Sequence, residues 1–315
     1  MVIHMNLLFK TIISFSILLA FGCRQSSDKK INLGNRQIKI IATTTMIADL
    51  VANAGKNRVS VESLMGPGVD PHSYEPRESD VSRLMNADVV FYNGIHLEGK
   101  MADLLEESAK KKNIFAIADG LKQMDIRIDA QTNAPDPHIW FNVELWMKAL
   151  DFVTSKLIEI DPDNSGIYES NNKSHMATLN ELHKYVKIQS EKIPASQRVL
   201  ITAHDAFGYF GNAYGFQVRG VQGINTVAEA NSGEIGNLAT FMVKNKIKAF
   251  FVESSVPRKN LEKLREVATL IDPNFVISTG GELFSDALGP ANANSGTYEG
   301  MVRHNIDTIT KALAP

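Results

Sequence analysis

Three histidines and one aspartate stand in loop-like segments where they could hold a metal ion. The segments are DPHSYEP with His72, DPHIWFN with His138, RVLITAHDAFGYFG with His204 and GGELFSDALG with Asp286. Three imidazoles and one carboxylate make a four-ligand set that suits zinc, Zn²⁺, with Mn²⁺ or Fe²⁺ tolerated. The proline before His72 and before His138 stiffens the backbone, and preorganised ligands lose less entropy when they bind. We therefore treat these residues as a candidate metal site.

Neighbouring residues and the remaining histidines allow other interpretations. A single loop histidine is often only exposed or hydrogen-bonded, and ligands this far apart in sequence lack the specificity of a Cys-x-x-Cys pair. Asp70 and Asp136 lie too close to their histidines to be predicted as ligands, but they are candidates for orienting them. The other four histidines are predicted to be structural or exposed: His96, His175, His183 and His304.

Alternating strand and helix signals would bring these loops together. IKIIATT is an apolar, β-branched run, and MIADLVANAG follows it with apolar residues at helical spacing. The alternation continues to IFAIAD and restarts at RVLITA, which predicts parallel sheets covered by helices. Because the carboxyl ends of parallel strands share one edge, two such units facing each other would place all four loops in one cleft.

The middle of the chain has a different pattern. Residues 143–194 are helical almost throughout, with an interruption around Asp161 and Pro162. Residues 165–193 carry a thin apolar stripe, which is typical of a helix on a surface or between domains. The predicted α/β fold has two lobes, each a mainly parallel sheet flanked by helices, joined by one long rigid helix. We assign 37–160 to the N-terminal lobe, 161–194 to the linker helix and 195–315 to the C-terminal lobe.

Length and composition agree with two soluble domains. The chain has 315 residues, and about 150 residues per domain is a usual value. Hydrophobic residues make up 44% and charged residues 22%, which is ordinary for a globular protein. The net charge of −2 provides no basic stripe for a phosphate backbone, so no nucleic-acid partner is predicted.

The amino terminus resembles a secretory signal. Lys10 precedes an apolar run over 11–21 that is too short to span a bilayer. The single cysteine of the chain, Cys23, follows that run directly after a glycine. Residues 1–23 are therefore predicted to be a signal peptide that ends at a lipoprotein cysteine.

Lipidation of Cys23 would anchor the protein to a membrane. Acyl chains on this residue would hold it at the surface, with residues 24–36 as a flexible tether. The match to a lipoprotein cleavage box is imperfect, because Phe21 stands where a small residue is usual. The alternative is an uncleaved or differently cut signal with a buried free thiol.

Several separated motifs together resemble one known family. DPHSYEP, DPHIW, TAHDAFGYFG, VESSVPRKNLEKL and GGELFSDALGP followed by GTYEGMVRHNIDTI occur in this order over nearly the whole chain after the signal. They resemble the metal-binding substrate-binding proteins of bacterial zinc and manganese ABC transporters, especially the TroA-type group. The resemblance implies two α/β lobes with the metal between them, and it places the family's ligands on His72, His138, His204 and Asp286.

The resemblance also implies what the protein does. It predicts high-affinity binding of one Zn²⁺ or Mn²⁺ per chain in the periplasm or at the cell surface, and delivery of the ion to a membrane permease. The expected form is a monomeric, lipid-anchored receptor without catalytic activity.

Two departures from family patterns concern the choice of metal. Manganese-dedicated members usually have glutamate at the third ligand position, where this chain has His204. Zinc-dedicated members often have a histidine-rich loop before the second ligand, but 123–137 contains no histidine. The choice between zinc and manganese therefore stays open, although such a site should hold Zn²⁺ more tightly than Mn²⁺.

A zinc hydrolase and a surface adhesin are the alternatives to a metal receptor. In a zinc hydrolase, the metal keeps one position open for water and a general base stands nearby. Glu234 and Glu253 are candidate bases only if Asp286 does not coordinate. The third possibility is a surface adhesin, for which no sequence feature provides support.

Overall fold

The computed structural model describes residues 36–110, 112–130 and 132–315. The predicted signal peptide, Cys23 and nearly all of the predicted tether lie outside these ranges. Of the helices in the described ranges, none combines the length and the apolar character needed to cross a membrane.

The N-terminal lobe is built on a four-stranded parallel sheet in the order β2-β1-β3-β4. Strands β1 and β3 are almost wholly buried apolar runs, as expected for a parallel sheet covered on both faces. Thr44 begins the first helix, because its side chain accepts a hydrogen bond from the N–H of Ile47. The elements are β1 Ile38–Ala42, α1 Thr45–Gly55, β2 Val59–Ser63, α2 Glu78–Asn86, β3 Val89–Tyr92, α3 Ala102–Ala109 and β4 Ile114–Ala116.

Two long helices occupy the middle of the chain, and the second of them connects the lobes. Helix α4 spans Val143–Ile160 and α5 spans Ser165–Glu191, with a short 3-10 turn at Pro162–Asn164 between them. Over its 27 residues α5 buries only five side chains, and its other side chains are exposed or partly buried. The small number of buried side chains accounts for the thin apolar stripe in the sequence.

Asp161 fixes the junction between the two long helices. Its carboxylate accepts hydrogen bonds from Arg58 Nη2 at 2.9 Å, from Asn164 Nδ2 at 2.9 Å and from the Tyr168 hydroxyl at 2.7 Å. Burial raises the pKa of Asp161, but these donors outweigh it and hold the pKa below its ordinary value. One carboxylate thereby joins the start of β2, the turn and the first turns of α5.

The C-terminal lobe contains two parallel strand pairs, β5 with β6 and β7 with β8. Strand β7 is buried at all five positions, and a register shift lies between Phe250 and Phe251. The elements are β5 Val199–His204, α6 Gly208–Tyr214, β6 Gln217–Gln222, α7 Ser232–Asn245, β7 Ala249–Glu253, α8 Lys259–Ile271, β8 Ser278–Leu283 and α9 Tyr298–Leu313.

One hydrophobic core extends across both lobes. It includes β1, α4 and α5 together with residues of α6 and α9, whereas a second core lies within the C-terminal lobe. Tyr298 at the start of α9 stacks on Trp146, and its hydroxyl donates to the Trp140 carbonyl at 2.6 Å. The predicted α/β class, with parallel strands, flanking helices and a long connecting helix, is confirmed. The residue boundaries assigned to the lobes and the linker stay predictions.

The contacts of Asp161 predict a pH-dependent contribution to stability. We expect Asp161→Ala to lower the free energy of unfolding by about 3 kcal/mol at neutral pH, because it leaves buried donors without an acceptor. Since folding depresses this pKa, the contribution is present above the unfolded pKa of 3.8 and is lost as the pH falls through the folded value.

Urea unfolding at neutral and acidic pH measures this effect. Asp163→Ala is the matched control, because Asp163 lies in the same turn and is exposed. Equal losses in the two variants would show that the Asp161 contacts do not stabilise the junction.

Candidate metal centre

His72 lies in the loop that follows β2. Its backbone N–H donates to Asp70 Oδ1 at 2.9 Å, and its side chain is buried at 2% exposure. The second oxygen of Asp70 accepts from the hydroxyl of Ser73 at 2.8 Å and from that of Thr226 at 2.6 Å. Asp70 therefore holds the loop that carries His72 and contacts the C-terminal lobe.

His138 is oriented by Asp136 two residues earlier. Asp136 Oδ1 accepts from the backbone N–H of His138 at 3.0 Å and from its ring Nδ1 at 2.7 Å. Both side chains are fully buried. Because Nδ1 donates to a carboxylate, Nε2 is the nitrogen left to face the site.

His204 is the last residue of β5 and bonds to the last residue of β7, Glu253. The backbone N–H of His204 donates to Glu253 Oε1 at 3.0 Å, and its Nδ1 donates to Oε2 at 2.6 Å. Both side chains have no exposed area. The carboxyl ends of two neighbouring strands thus fix the ring, with Nε2 again pointing into the site.

Asp286 comes from the loop between β8 and α9. It is 1% exposed, and its Oδ2 accepts from the Ser255 hydroxyl at 3.3 Å. Its Oδ1 has no hydrogen-bond partner among the described residues. A buried carboxylate oxygen without a donor is costly, and a bound cation would satisfy it.

The four side chains converge on one point. Their nearest ligand atoms all lie within 4.8 Å of one another. His138 Nε2 is 3.2 Å from His72 Nε2 and 3.3 Å from His204 Nε2, and Asp286 lies 3.3 Å from His204 Nε2 and 3.7 Å from His138 Nε2. In a tetrahedral zinc site with bonds of about 2.0–2.1 Å, the ligand atoms stand roughly 3.3 Å apart. The spacing suits a single ion.

The imidazoles and carboxylates of the site shift one another's pKa values. Burial lowers the pKa of His72 to about 3, so this ring is neutral. Burial also lowers the pKa of His204, but the carboxylates of Glu253 and Asp286 outweigh it and raise the pKa well above its ordinary value. Burial raises the pKa of Asp286, but His204 and the other imidazoles lower it further, so its carboxylate is ionised.

The structure corrects part of what the sequence predicts for the carboxylates near the site. Asp136 bonds to the ring of His138, whereas Asp70 bonds to the backbone of His72 and not to its ring. Glu253, considered as a hydrolase base, lies against the ring of His204, and Glu234 is exposed on α7. Glu253 lies at the end of the apolar strand AFFVES, and this position is the signal that could have identified it as a partner of His204.

The other histidines lie outside this cluster. His183 Nδ1 is 3.2 Å from the Tyr214 hydroxyl, and His304 Nε2 is 3.0 Å from the carbonyl of Glu282. His96 is exposed, and His175 is partly buried.

Three aromatic side chains that follow His138 in the chain lie in the hydrophobic core. Trp140, Phe141 and Trp146 are all buried. The ring of Trp140 lies 5.2 Å from that of His138, and its Nε1 donates to the Ser285 carbonyl at 2.9 Å. Trp140 therefore joins the loop of His138 to the loop of Asp286.

Comparison with known proteins identifies the family. Residues 40–312 match the family described as ZnuA, zinc-uptake complex component A, periplasmic. The chain belongs to this family. The manganese-binding lipoprotein MntA of Bacillus subtilis (strain 168) is 40% identical over 299 residues, which is 95% of this chain and 96% of MntA. The zinc-binding protein TroA of Treponema pallidum (strain Nichols) is 42% identical over 275 residues, which is 87% of this chain and 88% of TroA.

A solved structure agrees with the sequence relatives. The periplasmic zinc-binding protein TroA from Treponema pallidum matches with a TM-score of 0.85 at 41% identity, over 89% of this chain and 100% of TroA. The family resemblance and the two-lobed fold with a long connecting helix, both predicted from the sequence, are confirmed.

The contact between Glu253 and His204 predicts a loss of affinity on mutation. We expect Glu253→Gln to weaken zinc binding by about 10–100-fold, because an amide orients the imidazole and supports its basicity less well than a carboxylate. Competition with a chelator of known zinc affinity measures the change. Glu282→Gln is the control, because Glu282 lies on the adjacent strand and pairs with exposed Arg258. Equal affinities for both variants would show that Glu253 does not support the ring of His204.

Proposed function

We propose that this protein captures one divalent transition metal ion, zinc or manganese, outside the cytoplasm and delivers it to the permease of an ABC transporter. The observation that carries the proposal is the convergence of four buried ligand atoms within 4.8 Å. The proposed ligands are the Nε2 atoms of His72, His138 and His204 and the carboxylate of Asp286. The names of MntA and TroA support both metals, since one is called manganese-binding and the other zinc-binding.

Binding without catalysis accounts best for the site. A catalytic zinc ion usually has three protein ligands and an open position for water. Here four side chains converge, each with at most 2% exposure. Glu253 is engaged by His204 through both oxygens, so it is not available to activate a water molecule.

The place of the protein in the cell belongs to the same proposal. MntA is named a lipoprotein, and the apolar segment before Cys23 favours the same anchoring for this chain. We infer that acyl chains on Cys23 hold a monomer at the outer face of a membrane, close to its permease partner. Mass spectrometry of protein from its own host, before and after release of thioether-linked lipid, tests this anchor.

Removal of His204 is the direct test of the site. We expect His204→Ala to lower zinc affinity by at least about 100-fold, because it removes one of the proposed ligands and leaves Glu253 without its partner. Titration calorimetry measures the affinity and the stoichiometry, which should be one ion per chain. His304→Ala is the control, because His304 bonds to the backbone of Glu282 away from the cluster. Unchanged zinc affinity in His204→Ala would overturn the assignment.

The third ligand position should also control metal preference. We expect the wild-type protein to bind Zn²⁺ more tightly than Mn²⁺, as the Irving–Williams order requires for a nitrogen-rich site. His204→Glu replaces an imidazole with a carboxylate, so the ratio of zinc to manganese affinity should fall by about tenfold or more. Competition between the two ions, read by elemental analysis, measures that ratio. An unchanged ratio would show that this position does not determine the choice of metal.

A further inference from the structure

Arg127 contacts the immediate neighbours of two proposed ligands, one in each lobe. Its Nη1 donates to Asp136 Oδ2 at 2.7 Å, and its Nη2 donates to Asp205 Oδ2 at 3.3 Å. Asp136 orients the ring of His138, and Asp205 follows His204 directly in the chain. One guanidinium therefore connects the backbone segments that present two of the proposed ligands.

The guanidinium of Arg127 lies against Gly208 at the start of helix α6. A Cβ atom added to Gly208, the first residue of α6, would lie only 2.4 Å from Arg127 Cζ and Nη1. The backbone N–H of Arg127 donates to the Tyr209 hydroxyl at 2.9 Å, and that hydroxyl donates to the Asp136 carbonyl at 2.9 Å. The absence of a side chain at Gly208 thus allows the charge of Arg127 to lie against the other lobe.

This connection lies at the solvent side of the interface between the lobes. Arg127 and Asp205 line a cleft of about 390 Å³ and are 23% and 17% exposed. By contrast, the contacts of Trp140 with Ser285 and Tyr298 are buried. The inner side of the interface is therefore part of a packed core, whereas the outer side depends on polar contacts that water can replace.

We propose that Arg127 is a positioning residue that controls how fast the metal leaves. Its contacts with Asp136 and Asp205, which we call the clasp, hold the two lobes together. This inference rests on the proposed function. For the ion to escape, the segments that carry His138 and His204 must separate, and the two charge-assisted bonds of Arg127 oppose that separation. Weakening the clasp should raise the dissociation rate constant much more than it changes the association rate constant, as is common for contacts that hold a bound state.

Two substitutions weaken the clasp in different ways. Gly208→Ala displaces the guanidinium, which is the flexible end of the Arg127 side chain, without changing any charge. Asp205→Asn removes the charge of the partner in the C-terminal lobe and leaves the contact with Asp136 in place. Gly236→Ala is the matched control, because a Cβ at Gly236 in α7 meets no atom within 4 Å.

Stopped-flow mixing of the zinc-loaded chain with excess chromogenic chelator measures the dissociation rate constant. We expect Gly208→Ala and Asp205→Asn each to release zinc about tenfold faster than wild type, which is the scale of one lost hydrogen bond to a charged group. Gly236→Ala should release zinc at the wild-type rate. Urea unfolding of the metal-free variants checks that each variant is folded before its release rate is measured.

The double variant Gly208→Ala/Asp205→Asn distinguishes a clasp from two separate defects. If both changes act on the same guanidinium contact, the double variant should release zinc no faster than the faster single variant. Multiplied effects, or wild-type release rates in both single variants, would overturn the inference. A wild-type chain that bound no zinc would instead contradict the proposed function, so the two failures are distinguishable.

Discussion

The structure depends on a carboxylate that is buried where water cannot reach it. Asp286 is 1% exposed, and one of its oxygens has no donor among the described residues. Asp136 and Glu253 are also buried, and within this group the guanidinium of Arg127 supplies one permanent positive charge. Although burial lowers the pKa of His204, the carboxylates of Glu253 and Asp286 raise it well above its ordinary value, so its imidazole carries a proton in the metal-free site. A divalent cation would replace that proton and would also meet the Asp286 oxygen that lacks a donor.

The inner and outer sides of the interface between the lobes are held by different kinds of contact. On the inner side, Trp146, Trp140 and Tyr298 belong to one continuous core that joins the end of the chain to its first half. Such a core has few alternative arrangements, because packed interiors do not deform gradually. On the outer side, Asp70 meets Thr226 and Arg127 meets Asp205 through hydrogen bonds near solvent. We therefore expect an opening that admits or releases an ion to occur at the outer loops, where the contacts between the lobes are polar.

Much of this arrangement could be predicted from the sequence, because its signals are local. Each of the four proposed ligands follows a recognisable strand or proline signal, and the sharing of one sheet edge by parallel strand ends was enough to predict that they meet. Strand β8 has a weaker signal in the sequence, because its residues STGGEL are mostly polar or glycine and the apolar residues Phe275 and Ile277 precede it. Phe275 there donates its N–H to Asp272 in a turn, and its side chain is buried with that of Ile277 in the C-terminal core.

Partners that are distant in sequence could not be predicted in the same way. Glu253 reaches His204 across 49 residues, and Arg127 reaches Asp205 across 78. Neither pair has a spacing that marks it, because both depend on how strands and lobes are placed side by side. The contact of Arg127 with α6 also depends on a missing side chain at Gly208, and the space above a glycine becomes visible only in the folded chain.

The carboxylate partners of the imidazoles bear on the choice of metal as much as the proposed ligands do. By accepting from Nδ1, Glu253 directs Nε2 of His204 toward the site, and Asp136 does the same for His138. Three nitrogens and one carboxylate within 4.8 Å of one another suit a four-coordinate zinc ion, whereas manganese prefers more oxygen ligands. The free Oδ1 of Asp286 is the atom through which the same cage could extend to a higher coordination number. Because Asp286 Oδ1 lies 3.7 Å from His138 Nε2 and Oδ2 lies 3.3 Å from His204 Nε2, both oxygens already face the imidazoles. We therefore expect binding through one oxygen to favour zinc and binding through both oxygens to favour manganese.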